Sequence, residues 1–189
     1  MTAKSNQRCA ARRRNGFGAA AGGAVAAEFA LIAAPLLLLL AGLVELGFVL
    51  HAEAGLQYAT SEAGRLIRTG QVTTRTGALV MDASTFIDTI CARVPALSNC
   101  VGSVSIDVQS ASSFKSLSSS MRAPVDVGPS SPGGSPTINF APGGSSKPTS
   151  VIVTYDWTFG LPIMRPFGNV FSGSARRLEA VAVFRNEPF

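Results

Sequence analysis

Hydrophobic residues are concentrated in one run near the start of the chain. The run extends from Val25 to Val44 and contains a single charged residue, Glu28. A helix of about 20 residues is roughly 30 Å long, which is the thickness of the hydrocarbon core of a bilayer. The pattern therefore predicts a membrane-spanning helix. A charge within the bilayer costs about 2.5–3.5 kcal/mol on insertion scales. A simple anchor would avoid this cost, so we expect Glu28, at the start of the run, to have a functional role.

The helical pattern continues beyond the apolar run. Apolar residues recur there at intervals of three, four or seven, which places them on one face of a helix. These residues are Leu46, Val49, Leu56, Ala59, Ala63 and Ile67. Gly70 is a stop signal. We expect one helix over residues 24–70, only the first half of which can lie in lipid.

Alternation of apolar and polar residues predicts three strands after this helix. The alternating segments are 104–109, 151–159 and 177–184. A sheet with one apolar face needs a cover, and the second half of the long helix can supply it. The predicted fold class is α+β, with a long transmembrane-to-periplasmic helix packed on a small antiparallel sheet. Residues 71–189 form the exported domain.

Two further segments complete the predicted exported domain. Residues 82–93 are expected to form a short helix that ends before Pro95. Residues 123–150 are dominated by Gly, Pro and Ser. Proline lacks the backbone donor that a strand needs, and glycine raises the cost of ordering, so a mobile loop is expected there.

The distribution of charge predicts the orientation in the membrane. Five of the 16 basic residues and none of the 11 acidic residues precede Gly23, so eleven of each sign remain after it. The positive-inside rule places the basic leader, residues 1–23, in the cytoplasm. The part of the chain after the apolar run then lies on the opposite side of the membrane. The net charge of +5 belongs to this leader. It therefore indicates topology, and nucleic acid is not an expected partner.

A secretory signal peptide is the competing interpretation of the N-terminal region. Residues 52–54, Ala-Glu-Ala, satisfy the small-residue cleavage pattern. However, the apolar core exceeds the usual length of about 7–15 residues. Glu28 and Glu45 also bracket the run, and a discarded segment gives no reason for either carboxylate.

The residues around Gly23 resemble the leader of a type IV prepilin. The shared pattern is a basic leader, a glycine, four residues, Glu-Phe and a long apolar helix. In that family a membrane aspartyl prepilin peptidase cuts directly after the glycine. The resemblance implies a cut between Gly23 and Ala24, which makes Glu28 the fifth mature residue. It also implies that the Glu28 carboxylate neutralises the new α-amino group of a neighbouring subunit and sets the register between subunits.

Further segments are similar to the TadE-like pseudopilins of the tight-adherence (Tad/Flp) pilus system. These are the leucine run 36–40 after Pro35, and segments 42–48, 58–65, 139–143 and 184–189. The N-terminal similarity covers residues 12–70, and its motifs are specific to this family when they occur together. It implies a pilin-like fold and a minor pilin in the bacterial inner membrane, with a periplasmic domain and the pilus as a further destination. The implied partners are the prepilin peptidase, other pilin subunits, the assembly machinery and the lipid bilayer.

Cys91 and Cys100 lie close together in the predicted exported domain. In an oxidising compartment they are expected to form a disulfide. A metal site is the rival interpretation, but neither a histidine nor a further cysteine accompanies the pair. Cys9, the third cysteine, lies in the leader on the reducing side. This segregation agrees with the topology that the basic residues predict.

The sequence contains no recognisable catalytic constellation. It has one histidine, His51, and no glycine-rich phosphate loop or metal-ligand cluster. We therefore expect no enzyme activity, no cofactor and no metal. The leading hypothesis is a processed minor pilin. The alternatives are an uncleaved single-pass membrane protein whose exported domain binds a partner or the cell wall, and a secreted domain released after residue 54.

Overall fold

The structure, a computed structural model, describes residues 21–122, 134–170 and 175–189. The chain divides into two compact units, Met1–Leu40 and Ala41–Phe189. The helices are α1 (Ala21–Arg68), α2 (Ala83–Cys91), α3 (Cys100–Ser103), α4 (Phe114–Arg122) and a 3₁₀ helix (Pro162–Phe167). The strands are β1 (Ser105–Ser110), β2 (Ile138–Phe140), β3 (Pro148–Thr158) and β4 (Ala175–Arg185). The long helix and the small sheet confirm the predicted α+β class.

Helix α1 contains 48 residues and continues through Pro35. It ends where the sequence predicts, because Gly70 adopts a φ of +76°, a conformation that glycine accepts at little cost. The Gly70 N–H donates to the Ile67 carbonyl at 3.1 Å, and the Gln71 N–H donates to the Leu66 carbonyl at 3.0 Å. These bonds satisfy carbonyls that the last turn would otherwise leave open.

The four strands form one sheet in the order β2-β1-β3-β4. Strand β3 runs antiparallel to both β1 and β4, as the sequence predicts. Strand β2 pairs in parallel with β1, with Ile106 opposite Ile138, so the sheet is mixed and not purely antiparallel. A parallel pair needs a crossover connection, and this one contains α4. Strand β2 was not predicted, because three residues are too few to produce a recognisable alternation of apolar and polar positions.

One face of the sheet carries the main hydrophobic core. Five of the six residues on the predicted α1 face are fully buried in this core, and Leu46 is half-buried. Phe86, Ile87 and Ile90 of α2 lie in the same core, as predicted for residues 82–93. The core therefore joins α1 and α2 to the sheet.

Helix α1 approaches β4 closely. A Cβ atom added to Gly64 would lie 2.8 Å from the Phe184 ring, so a side chain at this position would have to displace that ring. About two turns earlier in α1, the Gln57 side-chain amide donates to the Val181 carbonyl at 3.0 Å and accepts from the Val181 N–H at 3.3 Å. Because β4 is an edge strand, Gln57 satisfies backbone groups that would otherwise be open to another strand.

The opposite face of the sheet is also covered, which the sequence did not predict. Helix α4 packs against β3, and its Leu117 is buried. Asp107 is only 2% exposed. Its carboxylate accepts hydrogen bonds from Asn139 Nδ2 and Gln109 Nε2, both at 2.6 Å. A buried carboxylate is tolerated when polar partners compensate for its lost hydration.

Part of the predicted loop 123–150 is ordered into the sheet. Residues 138–140 form β2, and β3 begins at Pro148. Between them, the Asn186 amide donates to the carbonyls of Pro142, at 3.2 Å, and Gly144, at 2.8 Å. The turn expected at 139–143 is thus held by a distant residue. Residues 123–133 of the predicted loop lie outside the described residues.

Helix α2 begins at a charged cap. The Asp82 carboxylate accepts hydrogen bonds from the Ser84 hydroxyl and from the Thr85 N–H, the latter at 3.2 Å. The bond from Ser84, followed by those from Thr85, lowers the pKa of Asp82 from 3.8 to about 2. A lowered pKa means that the ionised cap stabilises the fold above the ordinary pKa of aspartate, and that this contribution is lost as the pH falls through about 2.

We expect an Asp82→Ala variant to melt at a lower temperature than the wild type at neutral pH, because α2 loses its cap. The difference should shrink as the pH falls from 3.8 to about 2. Melting of the full chain in detergent, followed by circular dichroism, measures both effects. Asp82→Asn is the matched control, because it keeps a capping side chain but cannot ionise. A difference between wild type and Asp82→Ala that is constant over this pH range would contradict the assignment.

Candidate functional site

The first unit presents an apolar helical surface. The described part of this unit is the beginning of α1, and its large apolar side chains are exposed along the run Val25–Leu40. Among the described residues, α1 is the one helix long and apolar enough to cross a membrane. A fully apolar surface that the protein itself leaves uncovered is expected to lie in lipid or against other apolar helices.

Gly23 and Ala24 lie at the start of this helix. The described part of the helix begins at Ala21, two residues before Gly23. Gly23 is exposed, and a Cβ added to it would meet nothing within 4 Å. No contact among the described residues therefore limits which side chain residue 23 can carry.

Glu28 is exposed on α1, one turn after Ala24. Residues four apart lie on the same face of a helix, so residue 24 and the Glu28 carboxylate share one face. Within the described part of the chain, neither an ion pair nor a hydrogen bond of the Glu28 side chain is found. The structure thus leaves this carboxylate accessible to a partner outside the chain.

Glu45, at the far end of the apolar run, has a partner that the sequence did not reveal. Its carboxylate accepts hydrogen bonds from the backbone N–H groups of Gly160, at 2.6 Å, and Leu161, at 3.3 Å. From the sequence, Glu45 was only the carboxylate that follows the apolar run. More than a hundred residues separate the partners, and a backbone donor leaves no mark in the sequence.

The disulfide between Cys91 and Cys100 confirms the prediction. Their Cα atoms are 5.7 Å apart, within the range that a disulfide spans. Cys91 is the last residue of α2 and Cys100 is the first residue of α3, so the bond closes the connection between these helices. Cys9 lies outside the described residues.

The described residues contain no candidate metal site. No group of three or more His, Cys, Asp or Glu side chains within them could hold a metal ion. His51 is exposed on α1.

Comparison with known proteins identifies the N-terminal segment. The family model described as TadE-like protein matches residues 23–65. No curated protein and no solved structure matches the chain. TadE-like proteins are structural and pilus-associated, and the apolar helix fits a single-pass membrane protein of a pilus system. Residues 23–65 are thus similar to the TadE-like proteins.

Proposed function

We propose that the chain is a substrate of a prepilin peptidase and acts as a minor pilin, or pseudopilin, in the assembly of tight-adherence pili. The observation that carries this proposal is that the TadE-like match begins at residue 23, the glycine after which the leader resemblance places the cut. The proposed role is structural and involves no enzyme activity. The leader, residues 1–23, is discarded, and Ala24 becomes the N-terminus.

The local structure supports cleavage at this bond. Proteases bind their substrates in an extended conformation, so the helix must open around Gly23 for the cut. Glycine is about 1 kcal/mol less favourable than alanine in a helix, so two consecutive glycines weaken the helix at this bond. Gly22 and Gly23 therefore make this turn inexpensive to unwind. The exposure of Gly23 leaves the bond accessible to a peptidase.

Cleavage would create a partner for Glu28. The new α-amino group of Ala24 is mostly protonated near neutral pH, and an unpaired charge at the membrane edge is costly. The exposed Glu28 of a neighbouring subunit would neutralise it. Because both charges occupy fixed positions on a helix, the contact would fix how far one subunit is displaced along its neighbour.

The basic leader supports the orientation within this proposal. Residues 1–23 lie in the cytoplasm, α1 crosses the inner membrane, and residues 71–189 lie in the periplasm. The disulfide between Cys91 and Cys100 is compatible with that oxidising compartment. The proposed partners are the prepilin peptidase, other pilin subunits, the assembly machinery and the bilayer. The pilus itself is a further destination for the subunit.

The processing step predicts a mature protein that begins at Ala24. Intact-mass spectrometry of the protein extracted from membranes of its own cells measures this directly. Expression in a host without a prepilin peptidase is the control and should give a chain that begins at Met1. A start at Met1 in the native cells, or at Gly55, would exclude the proposed processing.

A second prediction concerns Glu28. We expect Glu28→Ala to reduce co-purification with the major pilin by at least about tenfold, since removing one partner of a desolvated charge pair costs roughly 3–5 kcal/mol. Glu53→Ala is the matched control, because Glu53 lies on the same helix and only approaches Arg176 at the surface, at 3.8 Å. Unchanged recovery of Glu28→Ala in the pilus fraction would refute the register role.

The alternative is an uncleaved single-pass membrane protein whose exported domain binds a partner or the cell wall. It has the same topology and differs in processing and assembly. A full-length protein that stays in the membrane and does not co-purify with the major pilin would favour it.

A further inference from the structure

The segment that follows β3 is fastened to α1 at two points. Glu45 accepts hydrogen bonds from the backbone of Gly160 and Leu161. Met164, in the 3₁₀ helix Pro162–Phe167, is buried, and its sulfur would lie 3.4 Å from a Cβ added to Gly42. Residues 160–167, here called the foot segment, are therefore held against residues 42–45 of the long helix.

The foot segment exposes apolar side chains. Ile163 is 53% exposed and Phe167 is 54% exposed, although Met164 between them is buried. One side of the foot segment thus packs on α1, whereas large apolar groups remain uncovered elsewhere on it. Single exposed apolar residues are ordinary on protein surfaces. Whether Ile163 and Phe167 have a function therefore depends on their position relative to the membrane.

That position is set by the point of attachment. The uncharged run 29–44 ends directly before Glu45, so Gly42 and Glu45 mark the end of the span that leaves the hydrocarbon core. A segment that contacts both residues lies at the height of the bilayer interface. Apolar side chains exposed at this height meet the boundary between lipid headgroups and acyl chains before they meet bulk water.

The foot segment carries a positive charge of its own, and the Glu45 carboxylate beside it is hydrogen-bonded to the backbone of Gly160 and Leu161. No acidic residue lies between Asp156 and Glu179. Arg165 is exposed between Ile163 and Phe167, and no carboxylate of the described residues pairs with it. An arginine can lie along an apolar surface with its guanidinium group at the headgroup phosphates. The foot segment therefore combines apolar groups for the acyl boundary with a cation for the phosphate layer.

We infer that the foot segment lies in the outer interface of the bilayer, with Ile163 and Phe167 below the headgroups and Arg165 at the lipid phosphates. The exported domain is then attached to the membrane at a second place beside α1, which restricts how it can tilt. Lipid is favoured over a protein partner because the bilayer surrounds the end of the span in every state of the membrane-inserted chain. The inference goes beyond the proposed function, because it holds whether or not the leader is cut.

Tryptophan fluorescence in nanodiscs tests the inference on the full chain. The single native tryptophan is first removed by the substitution Trp157→Phe, and all reporter variants are made in this background. This change costs no hydrogen bond, because the buried Trp157 Nε1 has no partner in the described part of the chain. Phe167→Trp is then the reporter. The nanodiscs contain ordinary phospholipid or phospholipid brominated on the acyl chains close to the ester groups.

Two further variants calibrate the measurement. Phe114→Trp is the matched negative control, because Phe114 is 52% exposed and begins α4. It follows the end of β1 that pairs with the start of β3, whereas the foot segment follows the other end of β3. Leu43→Trp is the positive control, because Leu43 belongs to the apolar run and is 57% exposed.

Brominated lipid should remove at least about half of the Phe167→Trp emission, since interfacial apolar side chains lie about 5–10 Å into the headgroup and acyl boundary. Leu43→Trp should be quenched as well, and Phe114→Trp should be unaffected. Quenching of Leu43→Trp without quenching of Phe167→Trp would overturn the inference and favour a protein partner for the foot segment. Absence of quenching at both positions would overturn it too, because the span itself would not be inserted.

Discussion

A Gly23→Leu variant is expected to accumulate as the uncut precursor in cells that process the wild-type chain. The reason is that the proposed peptidase cuts after a glycine, and we expect its cleft for this residue to be too narrow for a branched side chain. One added methylene can cost about 1–3 kcal/mol in such a pocket, and leucine adds four carbons, so cleavage should slow by at least about 100-fold. The ratio of precursor to mature chain, read by intact mass or by gel shift, is the measurement.

The surroundings of Gly23 make this variant informative. A side chain at residue 23 meets nothing within 4 Å in the structure, so a loss of cleavage would not follow from damaged packing of the described residues. Gly18→Leu is the matched control, because it makes the same substitution in the same leader away from the proposed bond. Normal cleavage of Gly23→Leu, or equal loss in both variants, would contradict the assignment of residue 23.

The second large effect is expected from removal of the disulfide. In a Cys91→Ala, Cys100→Ala double variant the unfolded chain regains the freedom of a loop of about ten residues, which is worth about 2.5–3 kcal/mol by chain entropy. For a domain of this size such a loss lowers the melting temperature by about 10 °C. The measurement is thermal unfolding of the full chain in detergent under oxidising conditions.

Reductant separates the disulfide from other consequences of the two substitutions. Wild-type protein treated with reductant should melt close to the double variant, and the variant should not respond to reductant. Cys100 is buried, so an additional small loss from packing is expected in the variant alone. A wild-type melting temperature that does not change with reductant would show that the bond contributes nothing to stability.

The sequence was sufficient for features that rest on local patterns. The long helix, its buried face and its stop at Gly70 follow from periodicity and from one glycine with positive φ. The three long strands and α2 follow from the same kind of pattern. The pairing of Cys91 with Cys100 needed only their proximity and an oxidising compartment.

The candidate site was predicted unevenly. Gly23, Ala24 and Glu28 came from the spacing of a leader and a helix, and the structure adds that Gly23 and Glu28 are exposed. Their roles remain predictions. The contact between the foot segment and α1 was not predicted, because it depends on the position of the end of β3 relative to Glu45 in the folded chain.

The sequence by itself determined the long apolar helix, the class of the fold and the similarity of residues 23–65 to TadE-like proteins, because hydrophobic periodicity and a short motif are local properties of the chain. Only the tertiary structure decided the parallel edge strand β2, the turn held by Asn186 and the contact between Glu45 and the foot segment. Each of these depends on backbone groups or on side chains far apart in the chain. Backbone donors and acceptors are the same at nearly every residue, so folding alone selects which of them meet.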